Sequence, residues 1–164
     1  MVYNLWMYSE ENPAVEVIAT LSQDIIHDMS FDWYGKRIAT CSSDKTVRIY
    51  CKNNEGKWID ETPIVVQGGP LWRVKWARPE FGLILATCSL DRSVKIFEKK
   101  KNKWIEQTKI SDSKEGIEDI KFSPRHALGL NLAAASADGN LRIYEAQDPT
   151  NLKNWMLKQN ILVN

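Results

Sequence analysis

Apolar and polar residues alternate with a period of two in many short segments of this chain. In residues 47–50 and 94–97, for example, valine and isoleucine alternate with charged or aromatic side chains. This alternation is typical of half-buried β-strands, and β-branched and aromatic residues favour the same conformation. No apolar run approaches the roughly 20 residues that span a bilayer, so we expect no membrane insertion. The pattern predicts an all-β protein of short strands.

The strand pattern occurs three times at a fixed spacing. Asp44, Asp91 and Asp138 mark the period, because successive aspartates are 47 residues apart. This is slightly longer than the roughly 40–45 residues of a WD repeat. Each repeat has three strand segments and then a fourth that begins at a tryptophan, as in residues 58–62, 104–108 and 155–159. Four short antiparallel strands form one blade of a β-propeller, which is the fold we predict.

The repeats divide the chain into one partial propeller domain, residues 1–164. Residues 3–7 resemble the third strand of the first full repeat, and residues 15–21 would be an outer strand after it. We therefore interpret the start of the chain as the back half of a preceding blade. The predicted units are a half blade or strand pair at 1–22 and blades at 23–66, 67–111 and 112–164.

The three aspartates are predicted to be structural. Each follows a segment of small residues and lies in the tight turn between the second and third strands, where its carboxylate can accept backbone N–H bonds. A turn aspartate repeated at a fixed period indicates architecture rather than catalysis. Small residues at equivalent positions, such as Ala39 and Ala86, indicate where neighbouring blades pack. Cys41 and Cys88 also occupy equivalent positions and are predicted to be core thiols.

The sequence offers little evidence for catalysis or for a cofactor. His27 and His126 have no cysteine or histidine at ligand spacing, so structural or surface roles are favoured over metal binding. We find no catalytic triad, nucleophile elbow, phosphate loop or dinucleotide motif. Three cysteines without metal-type spacing favour a reducing compartment. We therefore predict a protein that is not an enzyme, with no cofactor and no small-molecule substrate.

One charge run, residues 99–103, contains four lysines and is predicted to be a solvated loop. A contact with nucleic acid or with an acidic partner is the alternative. The net charge of +1 gives no support for generic nucleic-acid binding, so we consider it unlikely.

Particular stretches resemble one branch of WD proteins. Residues 26–28, 31–35 and 39–44 look like the first blade of the small propellers shared by the nuclear pore scaffold and a vesicle coat, and residues 72–82 look like their second blade. The third repeat is similar to the Seh-type nucleoporin and fits the Sec-type coat subunit less well. The stretches that carry this distinction are residues 112–114, 121–126, 137–146 and 148–155.

The resemblance implies a structural nucleoporin at the nuclear envelope that supports nucleocytoplasmic transport. Seh-type propellers are open and six-bladed, and a helical scaffold nucleoporin of the Y-shaped complex donates the strands that close them. We expect that partner near residues 1–30, although its contact residues cannot be named. The family also implies a vacuole- or lysosome-associated complex that regulates growth signalling. A coat subunit of endoplasmic reticulum export is the alternative, and an enzyme or RNA binder that uses the propeller is a third.

Two departures from the WD pattern affect these expectations. The usual glycine-histidine pair is replaced by Ser22-Gln23, Gly68-Gly69 and Ser113-Lys114, so we expect stability to depend more on strand pairing and apolar packing. Three blades and a half cannot close a ring. A fragment of a longer protein, half of a split propeller, and a short form in which residues 1–22 replace a partner's strand are the three explanations. By itself, such a chain would expose two strand edges, one at each end.

Overall fold

The computed structural model describes residues 3–9, 12–124 and 129–162. They form fifteen β-strands and one turn of 3-10 helix at Pro79–Phe81, and no helix among them is long and apolar enough to cross a membrane. A two-stranded sheet comes first, made of β1 (Tyr3–Ser9) and β2 (Asn12–Thr20).

Three larger antiparallel sheets follow in chain order, and we call them blades 1, 2 and 3. Blade 1 contains β3 (Ile26–Phe31), β4 (Arg37–Ser42), β5 (Thr46–Lys52), β6 (Trp58–Asp60) and β7 (Ile64–Val65). Blade 2 contains β8 (Leu71–Trp76), β9 (Ile84–Ser89), β10 (Val94–Lys100) and β11 (Lys103–Ile110). Blade 3 contains β12 (Ile117–Phe122), β13 (Asn131–Ser136), β14 (Asn140–Ala146) and β15 (Trp155–Leu162). The predicted all-β, incomplete propeller is confirmed.

The sequence predicted one continuous outer strand for blade 1, over residues 58–62, but the observed strand is interrupted. It ends at Asp60 and resumes at Ile64, so that β6 and β7 pair with different parts of β5. The interruption contains Pro63, which has no N–H to donate to a ladder. Glu61, just before it, directs its carboxylate toward blade 2.

Every blade has a β-bulge between its first and second strands at the same place. In blade 1, Ile26 pairs with Ser42 and Asp28 with Cys41, so His27 is the extra residue; the register shifts in the same way after Leu71 and after Ile117. The bulged residues of blades 1 and 2 contact each other, since the His27 and Trp72 rings lie 4.3 Å apart. The alternating pattern does not reveal such insertions.

The core lies between the blades, because each blade has one face of small side chains and one of large ones. Leu85 and Phe97 of blade 2 pack in one cluster with Ala39 and Cys41 of blade 1. Blade 3 repeats the arrangement, with Leu132 and Tyr144 in one cluster with Ala86 and Cys88 of blade 2. Small residues allow the sheets to approach closely, and the large residues fill the remaining space.

The two ends of this stack differ. Beside blade 1, Ile18 of β2 packs with Ile38 and Tyr50 and covers part of the large-residue face. Beyond blade 3, the small-residue face remains half-buried at Ala133 and Ile143, the positions equivalent to Ala39 and Ile49. Among the residues that the structure describes, no sheet covers that face.

This difference predicts unequal costs for the same substitution at equivalent sites. Ala39→Leu adds volume to a fully buried contact between blades and should lower the free energy of unfolding by about 1–3 kcal/mol. Ala133→Leu, on the half-exposed face, should change it by less than about 0.5 kcal/mol. Urea unfolding followed by tryptophan fluorescence measures both. Equal losses would show that blades 1 and 2 do not pack as described.

Candidate protein-binding site

The turn aspartates occupy the same place in each blade and make the same first contact. One carboxylate oxygen accepts a hydrogen bond from the backbone N–H two residues later, at Thr46, Ser93 and Asn140, over 2.9, 3.0 and 3.1 Å. The side chains of these three residues donate to the same oxygen. This bonding closes the turn between the second and third strands and orients the carboxylate.

The second carboxylate oxygen reaches the segment that enters each blade. It accepts the backbone N–H of Gln23 at 2.8 Å in blade 1, of Gly69 at 3.4 Å in blade 2, and of Lys114 at 3.0 Å in blade 3. These donors are the second residues of the pairs that replace glycine-histidine. A backbone amide, which any residue but proline provides, thus links the turn to the entering segment without a histidine side chain.

In blade 2 the backbone of the entering segment leaves no room for a side chain beside the Asp91 carboxylate. Gly68 has φ +124°, and a Cβ built there would overlap the Asp91 carboxylate. Only glycine combines this backbone conformation with the absence of a side chain. Gly68 is therefore required by the same carboxylate that Gly69 contacts.

Blade 3 adds a buried ion pair to this arrangement. The two guanidinium nitrogens of Arg142 donate to the two oxygens of Asp138 over 3.1 and 2.7 Å, and both side chains are less than a tenth exposed. Arg48, the equivalent residue in blade 1, pairs instead with Asp60 at 2.9 Å. The Arg142 guanidinium holds the pKa of Asp138 far below its usual range.

The other two turn aspartates also have lowered pKa values. Burial alone would raise the pKa of Asp44, but hydrogen bonds from Thr46 and Gln23 outweigh it. The pKa of Asp91 is lowered in the same way by Ser93 and Gly69. Carboxylates whose oxygens are already bonded to their own chain hold the backbone in place and offer no free base for catalysis.

Polar contacts also join blade 1 to blade 2, and the sequence analysis missed them. The Lys75 ammonium lies 2.5 Å from the Asp28 carboxylate, which also accepts the backbone N–H of Val74 at 3.1 Å. Near the outer strands, Lys99 contacts both oxygens of Glu61 at 2.7 and 2.8 Å. These partners are 38 to 47 residues apart in the chain, so only the stacking of blades brings them together.

The lysine run differs from the predicted loop. Lys99 and Lys100 belong to β10 and Lys103 to β11, so that the turn itself is only Lys101 and Asn102, both with positive φ. Lys99 is paired with Glu61 and Lys100 with Glu98. Two of the four lysines are thus neutralised by partners, which weakens the case for a nucleic-acid contact.

The remaining candidate residues take part in packing. His27 lies 2.6 Å from the Ser43 hydroxyl, and His126 falls outside the described residues. Cys41 and Cys88 are fully buried as free thiols, and burial raises the pKa of Cys41 to about 12 and that of Cys88 still higher. Within residues 3–9, 12–124 and 129–162, no group of three or more histidine, cysteine or acidic side chains could hold a metal ion.

One group of exposed apolar side chains lies in blade 1 and in the segment that enters it. Leu21, Ile25 and Phe31 are 60%, 52% and 45% exposed. The Phe31 ring lies edge-on to the Trp58 ring, with centroids 6.4 Å apart. The Lys52 ammonium lies 5.6 Å from the centroid of the Trp58 ring. We call these three exposed residues, with Trp58, the blade 1 flank. Apolar surface of this kind is characteristic of protein-binding sites.

The β1–β2 sheet corresponds to only half of a blade, its third and outer strands. In the complete blades the third strand pairs on both sides, as β10 does with β9 and β11. β1 pairs with β2 alone among the described residues. No described strand occupies the position of the two inner strands next to β1.

The chain matches the family described as WD domain, G-beta repeat, at residues 16–51 and 105–145. The second match begins in β11, an outer strand, and ends in β14, the third strand of the next blade. The first match begins in β2 and ends in β5. In the first match, β2 therefore takes the position that the outer strand β11 takes in the second match.

Curated relatives match over most of the chain. The nucleoporin SEH1 of Bos taurus and that of Homo sapiens are each 43% identical to it over 154 residues, and that of Danio rerio is 42% identical. Each alignment covers 88% of this chain and 42% of the relative. The chain therefore spans about two fifths of the length of these relatives.

The turn aspartates predict how stability depends on pH. A carboxyl group whose pKa is lowered on folding contributes stability that is complete above its unfolded pKa, about 4, and is lost as the pH falls through its folded pKa. We expect the free energy of unfolding to decrease steadily below about pH 4. Asp138→Asn should cost about 3 kcal/mol or more at pH 7, because Arg142 stays buried without its counter-charge.

Asp44→Asn is the matched control, since Asp44 pairs with no arginine in the part of the chain that the structure describes, and it should cost only about 1 kcal/mol. Urea unfolding from pH 2 to 7 measures both variants, and Asp138→Asn should flatten the acid limb of the profile more. Equal costs at pH 7 would contradict the role assigned to the Asp138–Arg142 pair.

Proposed function

We propose that this WD-repeat protein, similar to SEH1 nucleoporins over most of its length, is a structural subunit of the nuclear pore scaffold that binds other proteins. The observation that carries the proposal is the similarity, 43% identity over 88% of the chain. The coat-subunit alternative is not favoured by these matches. The saturated turn carboxylates and the inert core thiols support a binding role rather than a catalytic one.

The proposed docking site is the blade 1 flank together with the free edge of β1. A partner that places strands next to β1 would complete the half blade and cover the exposed apolar side chains of the flank. Main-chain hydrogen bonds along β1 would supply affinity, and pockets for Phe31 and Leu21 would supply specificity. Such a contact buries a strand edge that otherwise invites pairing with wrong partners.

The partner we propose is a helical scaffold nucleoporin of the Y-shaped complex, which donates the strands. The protein would then lie at the nuclear envelope and support nucleocytoplasmic transport through its place in the scaffold. The same docking mode would serve in a vacuole- or lysosome-associated complex that regulates growth signalling. Position in the cell distinguishes the two assemblies.

The test is localisation and co-purification of the tagged protein in its own cells. We expect a signal at the nuclear rim and recovery of a helical scaffold nucleoporin. Phe31→Glu should reduce that recovery at least about tenfold, because a charge replaces an apolar anchor in the contact. Quantitative mass spectrometry of the purified material measures the recovery.

Ile105→Glu is the control, because Ile105 is also 44% exposed but lies on the outer strand of blade 2. The Ile105→Glu variant should recover as much of the partner as the unaltered protein does. A signal at endoplasmic reticulum exit sites would overturn the proposed function. Partner recovery that is unaffected by Phe31→Glu would overturn the proposed docking site.

A further inference from the structure

The outer strands of the three blades differ in how their free edges are protected. In blade 1 the edge is split into short pieces on either side of Pro63. In blade 2, β11 carries three exposed charges, at Lys103, Glu106 and Lys109. Short strands, proline and charge are the usual means by which proteins prevent edge-to-edge pairing.

β15, the outer strand of blade 3, lacks most of this protection. It is eight residues long and carries one charged residue, Lys158, which is paired with Glu145 of its own sheet at 2.7 Å. Four large apolar side chains along it are exposed by 42–63%: Met156, Leu157, Ile161 and Leu162. Among the described strands, it pairs only with β14.

We propose that β15 is a self-association edge, on which a second copy of this chain pairs through its own β15 in antiparallel orientation. The strand sequence is complementary to itself in that orientation. With Lys158 opposite Gln159, Met156 lies opposite Ile161 and Trp155 opposite Leu162. Apolar residues therefore meet apolar residues at both ends of the contact, and no two lysines lie opposite each other.

The observed register within blade 3 agrees with this pairing. Ile143 pairs with Gln159 and Tyr144 with Leu157, so Lys158 is a bulged residue that shifts the alternation of faces. Because of that bulge, Met156 and Ile161 point to the same side of the sheet, as do Trp155 and Leu162. A two-fold axis perpendicular to the sheet preserves faces, so each proposed pair can make contact.

This surface is separate from the proposed docking site. The blade 1 flank lies at the opposite end of the stack from β15, whose free hydrogen-bonding edge points away from β14. Self-association at β15 would join two scaffold subunits while each still holds its own partner. The inference goes beyond the proposed function and does not depend on it.

The test is the oligomeric state of the purified chain, measured by sedimentation velocity over a range of concentrations. We expect a reversible dimer. Met156→Lys places a charge opposite Ile161 twice per dimer and should raise the dissociation constant at least about tenfold. Ile105→Lys on β11 is the control, because it adds the same charge to an exposed edge outside the contact and should leave the dimer unchanged.

Mixing two variants tests the register itself. Ile161→Glu alone should also weaken the dimer, but an equimolar mixture with Met156→Lys sets a lysine opposite a glutamate and should restore association. Circular dichroism confirms that both variants fold. A chain that stays monomeric at all concentrations, a dimer insensitive to Met156→Lys, or variants that do not complement each other would overturn the proposal.

Discussion

The hydrogen bonds that each turn aspartate accepts from two separate backbone amides are the interaction on which the rest of the structure depends. One amide belongs to the turn between the second and third strands, and the other to the segment that enters the blade 21 to 24 residues earlier. A single carboxylate therefore fixes where the first strand begins relative to the third. Once that position is fixed, the bulge at His27 and its equivalents brings the first strand into the contact between blades. Two of the three entering amides, those of Gln23 and Lys114, lie at the surface, so each of these bonds should contribute about 0.5–1.5 kcal/mol.

The stacking of blades follows from that geometry. Each blade presents alanine on one side and a leucine or isoleucine with an aromatic ring on the other, so the large side of one blade fits the small side of the blade before it. The ion pairs between Asp28 and Lys75 and between Lys99 and Glu61 depend on the stacking and add specificity. The two ends of the stack are chemically different: Ile18 partly covers the first, while the small-residue face of blade 3 stays open. We assign partner binding to the first end because the exposed side chains of the blade 1 flank and the edge of β1 lie there.

The number of blades, the turn aspartates and the core cysteines could be predicted from the sequence because they depend on local pattern and period. Other features could not, because they depend on residues far apart in the chain. The backbone amides that replace the WD histidine carry no side-chain signature, so Gln23 and Lys114 look like ordinary loop residues. The lysine run was predicted as a loop because charged residues usually face solvent. Lys99 instead belongs to a strand and binds Glu61, which lies 38 residues earlier in the chain. The split of the outer strand at Pro63 could have been recognised, since proline interrupts a strand ladder.

The aspartate contacts make each blade a fixed unit, as the proposed role in binding other proteins requires. Amide hydrogen exchange at the entering segments tests this account most directly. It predicts that the amides of Gln23 and Lys114 exchange at least about tenfold more slowly than that of Asn54 in the exposed turn of blade 1. Asp44→Ala should release the amide of Gln23 and leave that of Lys114 protected. Exchange of Gln23 and Lys114 as fast as Asn54 in the unaltered protein would contradict the central role of the turn aspartates.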